Sequence, residues 1–172
     1  MKVCVFFLFI LGSCQTRENA QPQEYTGPIR EADNIEMFYT EKDHIKIKLT
    51  AKKILEFRNG DRDFPEGIYI EFFDETGKMT STLKANTAYY FKGENQWRGR
   101  GKVEVKNIEQ QDQLATEELF WEPDTKKIFT DKFVTVRSAT EVIYGTGLQA
   151  AQDMSSYTIT KLEGVFDVEE EP

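Results

Sequence analysis

Leu83-Lys-Ala-Asn-Thr-Ala-Tyr-Tyr and Leu114-Ala-Thr-Glu-Glu-Leu-Phe-Trp open one pattern that the chain writes twice. Adding 31 to each number carries Leu83 onto Leu114, Ala88 onto Leu119 and Tyr89-Tyr90 onto Phe120-Trp121. The copy then runs without a gap through Trp97 onto Ile128, Val103 onto Val134 and Val105 onto Val136. A weaker third copy at the same offset sets Ala150 under Leu119, Ile159 under Ile128 and Val165 under Val134. An offset of 34 sets Ala51 under Ala85 and Gly67 under Gly101 in a degraded earlier copy. A fixed period of this length implies stacked supersecondary units, none of which buries its apolar face alone.

Each unit reads as a hairpin. Trp97-Arg-Gly-Arg-Gly-Lys-Val-Glu-Val-Lys alternates small or apolar residues with charged ones, and Ile128–Arg137 repeats the phase in its second half. Period two is the mark of a strand with one covered and one wet face. Lys92-Gly93-Glu94-Asn95 and Glu122-Pro123-Asp124-Thr125 are turn formers between such strands. The expectation is an antiparallel sheet that grows by hairpin addition.

Working outward, His44–Phe57 alternates Ile45, Ile47 and Leu49 with Lys46, Lys48 and Thr50, which predicts a half-buried strand. Gly67–Phe73 predicts another, with Ile68, Ile70 and Phe72 inward and Glu71 outward. Its phase is one residue off the repeat register, so a bulge or slip is expected near Pro65. Asp74–Gly77 turns the chain into the repeats, and Ser155–Val168 is the last strand. No stretch of useful length has helical period. An all-β chain of many hairpins leaves a sandwich, a jelly roll or an open barrel.

The N-terminus reads as a targeting segment. Lys2 precedes the apolar run Val3–Leu11, which is too short to span a bilayer and suits a signal sequence. The run ends in Leu11-Gly12-Ser13-Cys14, which resembles a bacterial lipobox. That resemblance implies cleavage before Cys14, leaving residues 1–13 as signal peptide, and lipid on the cysteine. Cys4 leaves with the signal, so no pair remains for a disulfide. Residues 14–33 read as lipidated terminus and tether, because Gln, Asn, Glu and Pro dominate and few residues can bury surface. Residues 34–168 form the expected single domain, and 169–172 a short acidic tail.

Composition narrows the function. Thirteen Phe and seven Tyr suit a β-rich core. A net charge of −8 argues against nucleic acid, which needs clustered Lys and Arg. The single histidine, His44, cannot build a His-rich zinc site or a serine triad among its charged neighbours. Arg98-Gly99-Arg100-Gly101 is basic and glycine-rich but sits inside a strand, not at a helix start. The carboxylates are numerous and read as a solvated face. The expectation is a non-enzyme with no cofactor and no metal.

What remains is the apolar face: Leu83, Ala85, Ala88, Tyr90, Trp97, Val103, Val105, Leu119, Trp121, Ile128, Val134 and Val136. They are either plain core or, if the sheet is bent like a card and its interior is partly open, the lining of a lipid groove. Phe64-Pro65-Glu66-Gly67-Ile68, Leu83-Lys-Ala-Asn-Thr-Ala-Tyr-Tyr, Gly101-Lys-Val-Glu-Val, Leu114-Ala-Thr-Glu-Glu-Leu-Phe-Trp, Tyr144-Gly-Thr-Gly-Leu and Leu162-Glu-Gly-Val, in this order, resemble the LptC family of periplasmic lipopolysaccharide-export proteins. The similarity covers about residues 35–166. It implies an open antiparallel β-jelly roll with a bent, V-shaped sheet. It implies lipopolysaccharide as cargo, an inner-membrane ABC transporter complex as donor, and a periplasmic bridge protein of the same fold as acceptor, joined edge to edge. On this chain the joining edge is the last strand, with Ile159, Leu162 and Gly164. Many family members carry an N-terminal transmembrane helix, whereas lipid on Cys14 is the expected anchor here, with the inner membrane as its place. The competing readings are an outer-membrane lipoprotein of the same fold and a structural or adhesive β-sandwich lipoprotein without lipid cargo.

Overall fold

A computed structural model of the chain describes residues 25–167, so the signal peptide, Cys14, most of the tether and the acidic tail lie outside the described residues. The strands are β1 (Arg30–Glu41), β2 (His44–Glu56), β3 (Arg62–Phe64), β4 (Ile68–Phe73), β5 (Met79–Ala85), β6 (Thr87–Phe91), β7 (Gln96–Asn107), β8 (Gln113–Glu122), β9 (Lys127–Arg137), β10 (Glu141–Ala151) and β11 (Tyr157–Asp167). All pairings are antiparallel and join one 11-stranded sheet, consistent with an open β-jelly roll. β1 begins at Arg30, inside the stretch read from sequence as tether.

The chain is a meander whose third and fourth passes are each broken once. β3 and β4 both lie against β2, and β5 and β6 both lie against β7. The breaks face each other, since Phe64 pairs with Ala88 while Ile68 pairs with Ala85. The slip expected near Pro65 is therefore a full corner. Gly67 makes it possible with φ +91°, and a Cβ there would stand 2.8 Å from the Ala85 carbonyl oxygen. The corner continues across the sheet. Asn86 donates its amide to the Gly101 carbonyl at 2.9 Å, and Gly101 itself has φ +74°. Register shifts follow between Arg100 and Val103, Thr116 and Phe120, and Thr146 and Leu148. Bulges bend the strand that carries them, and a line of them folds one sheet into two limbs. The 31-residue repeat is two strands with one crossing of this line in each.

The fold line brings apolar ladders face to face. On one limb the cross-strand partners run Met37–Leu49–Ile70–Leu83–Val105–Leu114–Val136–Ile143–Val165, from β1 to β11 without a polar residue. On the other they run Tyr90–Trp97–Trp121–Ile128–Ala150–Tyr157. Phe72 of the first limb meets Trp121 of the second edge to face, at 5.2 Å between ring centroids. Outward residues answer with charge. Glu118 pairs with Arg98 and Arg100, and Arg98 covers Phe120 with its ring-facing guanidinium.

Candidate functional site: an aromatic mouth between two sheet limbs

The expected groove residues fall into two groups. Leu83, Ala85, Ala88, Val103, Val105, Leu119, Ile128, Val134 and Val136 are all 4% exposed or less and belong to one hydrophobic core. At their depth the limbs are in contact. Tyr90, Trp97 and Trp121, the last also 4% exposed and part of that core, line a cavity of about 550 Å³ between the free ends of the limbs. The size suits a small-molecule or single-chain ligand. The aromatics are held in a chain: Tyr90 to Trp97 at 4.9 Å, Trp97 to Trp121 at 5.8 Å, and Phe64 stacked beneath Trp97 at 5.4 Å. Met37, Ile47 and Leu49 supply the opposite wall from β1 and β2. Lys46, Glu41, Asp74, Asp124 and Lys126 ring the opening.

Arg62 also lines this cavity. It shares the inward phase of Phe64 on β3 and pairs with Tyr90, over whose ring its guanidinium sits at 5.7 Å. Its Nε is buried and makes no hydrogen bond.

The β10–β11 loop closes the far side. Met154, 1% exposed, inserts into the core from a left-handed backbone (φ 59°). The Ser81 hydroxyl of β5 donates to the Gln152 carbonyl at 3.2 Å, and the Asn107 amide of β7 donates to the Asp153 carbonyl at 2.7 Å. Trp121 Nε1 donates to the Gln152 side chain at 3.1 Å. Residues 152–156 thus form a strap from one limb to the other. A second cavity of about 590 Å³ lies around it, lined by Phe73, Thr80, Lys126 and the strap itself. Burial pushes the pKa of the Tyr157 phenol up, with Asp112 and Glu141 adding to the effect.

Sequence reasoning missed Arg62, Asn107, Gln152 and Met154. Arg62 was legible by parity, two residues before Phe64. Met154 stands as one apolar residue in a polar turn, which by itself carries no direction.

The edge residues lie on β11, which among the described residues pairs only with β10. Ile159 packs on the core, Leu162 is 59% exposed, and Gly164 lies opposite Tyr144. β1, the other edge, pairs only with β2 among the described residues. Among the described residues no helix is long and apolar enough to cross a membrane.

No curated protein matches the chain. The family model described as "LptC: Lipopolysaccharide-assembly, LptC-related" matches residues 3–161. With the bent antiparallel sheet, that match over most of the 172 residues means that the chain belongs to the LptC family of lipopolysaccharide-assembly proteins.

Proposed function

We propose that this protein is a periplasmic carrier in lipopolysaccharide export, tethered to the inner membrane by lipid on Cys14. It receives the acylated part of lipopolysaccharide from an ABC transporter complex and passes it to a bridge protein of the same fold along the β11 edge. The observation that carries this reading is the nine-residue apolar ladder from Met37 to Val165, which runs from one free edge of the sheet to the other. A carrier of acyl chains needs such a lane, since exposing apolar surface costs about 25 cal/mol per Å².

The lane is closed at rest. Cargo enters at the aromatic mouth, and the limbs part along the fold line as it moves inward. Parting breaks the Phe72–Trp121 contact and releases the strap from Ser81 and Asn107. The packed valines, at 0–1% exposure, favour the rival reading of a structural sandwich with no cargo. Mass spectrometry of the mature chain purified from membranes separates the two. Bound lipid A supports the carrier; its absence from folded, membrane-derived protein supports the sandwich. Loss of membrane association in Cys14→Ser tests the anchor separately.

A further inference from the structure

Arg62 is a half-buried cation inside an aromatic cavity. Among the described residues no carboxylate lies within ion-pair distance of it, and its Nε has no acceptor. Tyr90 offers a π face, which attracts the charge but accepts no in-plane hydrogen bond from the guanidinium edge. A buried donor without a partner is costly and is rarely left so without reason. The β2–β3 register places Glu56 directly across the ladder from Arg62, yet Glu56 pairs with Arg30 at 3.6 Å instead. The guanidinium is left facing the cavity that its own strand helps to wall.

We propose that Arg62 is the headgroup anchor of this cavity, taking the phosphate of an amphiphile whose chain lies on Trp97 and Trp121. The proposal rests on the carrier reading and names the polar chemistry that the carrier recognises. A guanidinium fork matches a phosphate with two parallel donors, which a lysine ammonium cannot reproduce. The rim favours an amphiphile over a free anion. Glu41, Asp74, Glu75 and Asp124 outnumber Lys46 and Lys126 there. A lone phosphate is repelled, whereas a lipid held by its chain carries its phosphate past the acids to Arg62.

The chain has two tryptophans, and both line the cavity, so their fluorescence reports it directly. The mature chain with Cys14→Ser, which has no acyl chain of its own, is titrated with octyl phosphate, octyl glucoside and inorganic phosphate. The expected result is at least tenfold tighter binding of octyl phosphate than of octyl glucoside, with no response to inorganic phosphate. Arg62→Met should remove the preference and keep the glucoside affinity, and Arg62→Lys should restore only part of it. A full phosphate preference in folded Arg62→Met, or no preference in the parent chain, overturns the proposal while leaving the carrier reading intact. Competition by inorganic phosphate at equal concentration also overturns it, by assigning Arg62 to a free anion. If neither amphiphile perturbs the tryptophans, the carrier reading itself fails.

Discussion

Replacing Ser81 by Ala and Asn107 by Asp removes the strap's two hydrogen bonds to the opposite limb and leaves Met154 seated in the core. Ser81 is fully buried and its hydroxyl reaches only the Gln152 carbonyl, at 3.2 Å. Asn107 donates to the Asp153 carbonyl at 2.7 Å, and its Oδ1 separately accepts the amides of Glu109 and Gln110 at 2.9 and 2.7 Å. Aspartate keeps that acceptor and loses the donor, so the β7–β8 loop keeps both backbone contacts and loses only the longer bond from Asn107 to the Gln110 side chain, at 3.3 Å. Each neutral hydrogen bond contributes about 1 kcal/mol net, and the pair therefore about 2 kcal/mol. At 1.4 kcal/mol per tenfold change, the closed state loses a factor of about 30 against any state with the strap released. If cargo binds only when the strap is open, apparent affinity rises by up to that factor, because the closed state taxes binding by its population. Two assays read this: tryptophan titration with lipid A, and hydrogen exchange at the amides of Gln152 and Met154, which bond to Lys126 and Ala151 in the closed loop. The variant should melt lower, bind tighter and exchange faster at the strap. A folded variant that melts lower but binds lipid A no more tightly would refute the opening of the strap during binding.

Gly67→Ala should destabilise the fold by about 1–3 kcal/mol in a denaturant titration, because its φ is +91° and the new Cβ meets the Ala85 carbonyl. Gly93→Ala, where nothing lies within 4 Å, should be close to neutral, and equal costs at the two sites would contradict the corner. Asp74 holds the β4–β5 turn: its carboxylate accepts the Thr76 hydroxyl and the amides of Thr76 and Lys78, which lowers its pKa. Stability from this group is present above the ordinary carboxylate range and is lost as pH falls through the lowered folded value. The melting difference between the parent chain and Asp74→Asn should therefore shrink in acid; a difference constant with pH counts against it. Leu162→Pro, at an exposed position of β11, removes a ladder donor and should abolish co-purification of the bridge protein while transporter association survives. Loss of both would mean misfolding instead.

How much of this was legible follows from what sets each feature. Strand phase in the repeats is a local property, and Val103, Val105, Val134 and Val136 all point inward as their alternation requires. The turns at 92–95 and 123–126 follow from their own residues. The corner at Pro65 was legible only as a phase error, because one strand cannot show that its neighbours break at the same level. The groove was least legible. Alternation tells which residues face inward and not how far apart the two limbs stand, so Val105 and Trp97 look alike in sequence. One is fully buried and the other lines a cavity, because the strap bonded to Ser81 and Asn107 closes the space between the limbs on the β7 side, while the space beside β1 and β2 stays open. The strap depends on contacts such as Ser81 with Gln152, 71 residues apart, which no local pattern encodes.

The central claim is that lipid passes between the limbs and not over them. A photoreactive residue in place of Val105 or Val136, in cells that export lipopolysaccharide, tests it most directly. These two positions lie on the inner ladder, at 0% and 1% exposure, and their neighbours Glu104 and Thr135 face outward. The account predicts crosslinks to lipopolysaccharide from Val105 and Val136 that require ATP hydrolysis by the transporter, and none from Glu104 or Thr135. Equal crosslinking from both faces, or none from the inner positions of a folded protein during active export, would contradict it.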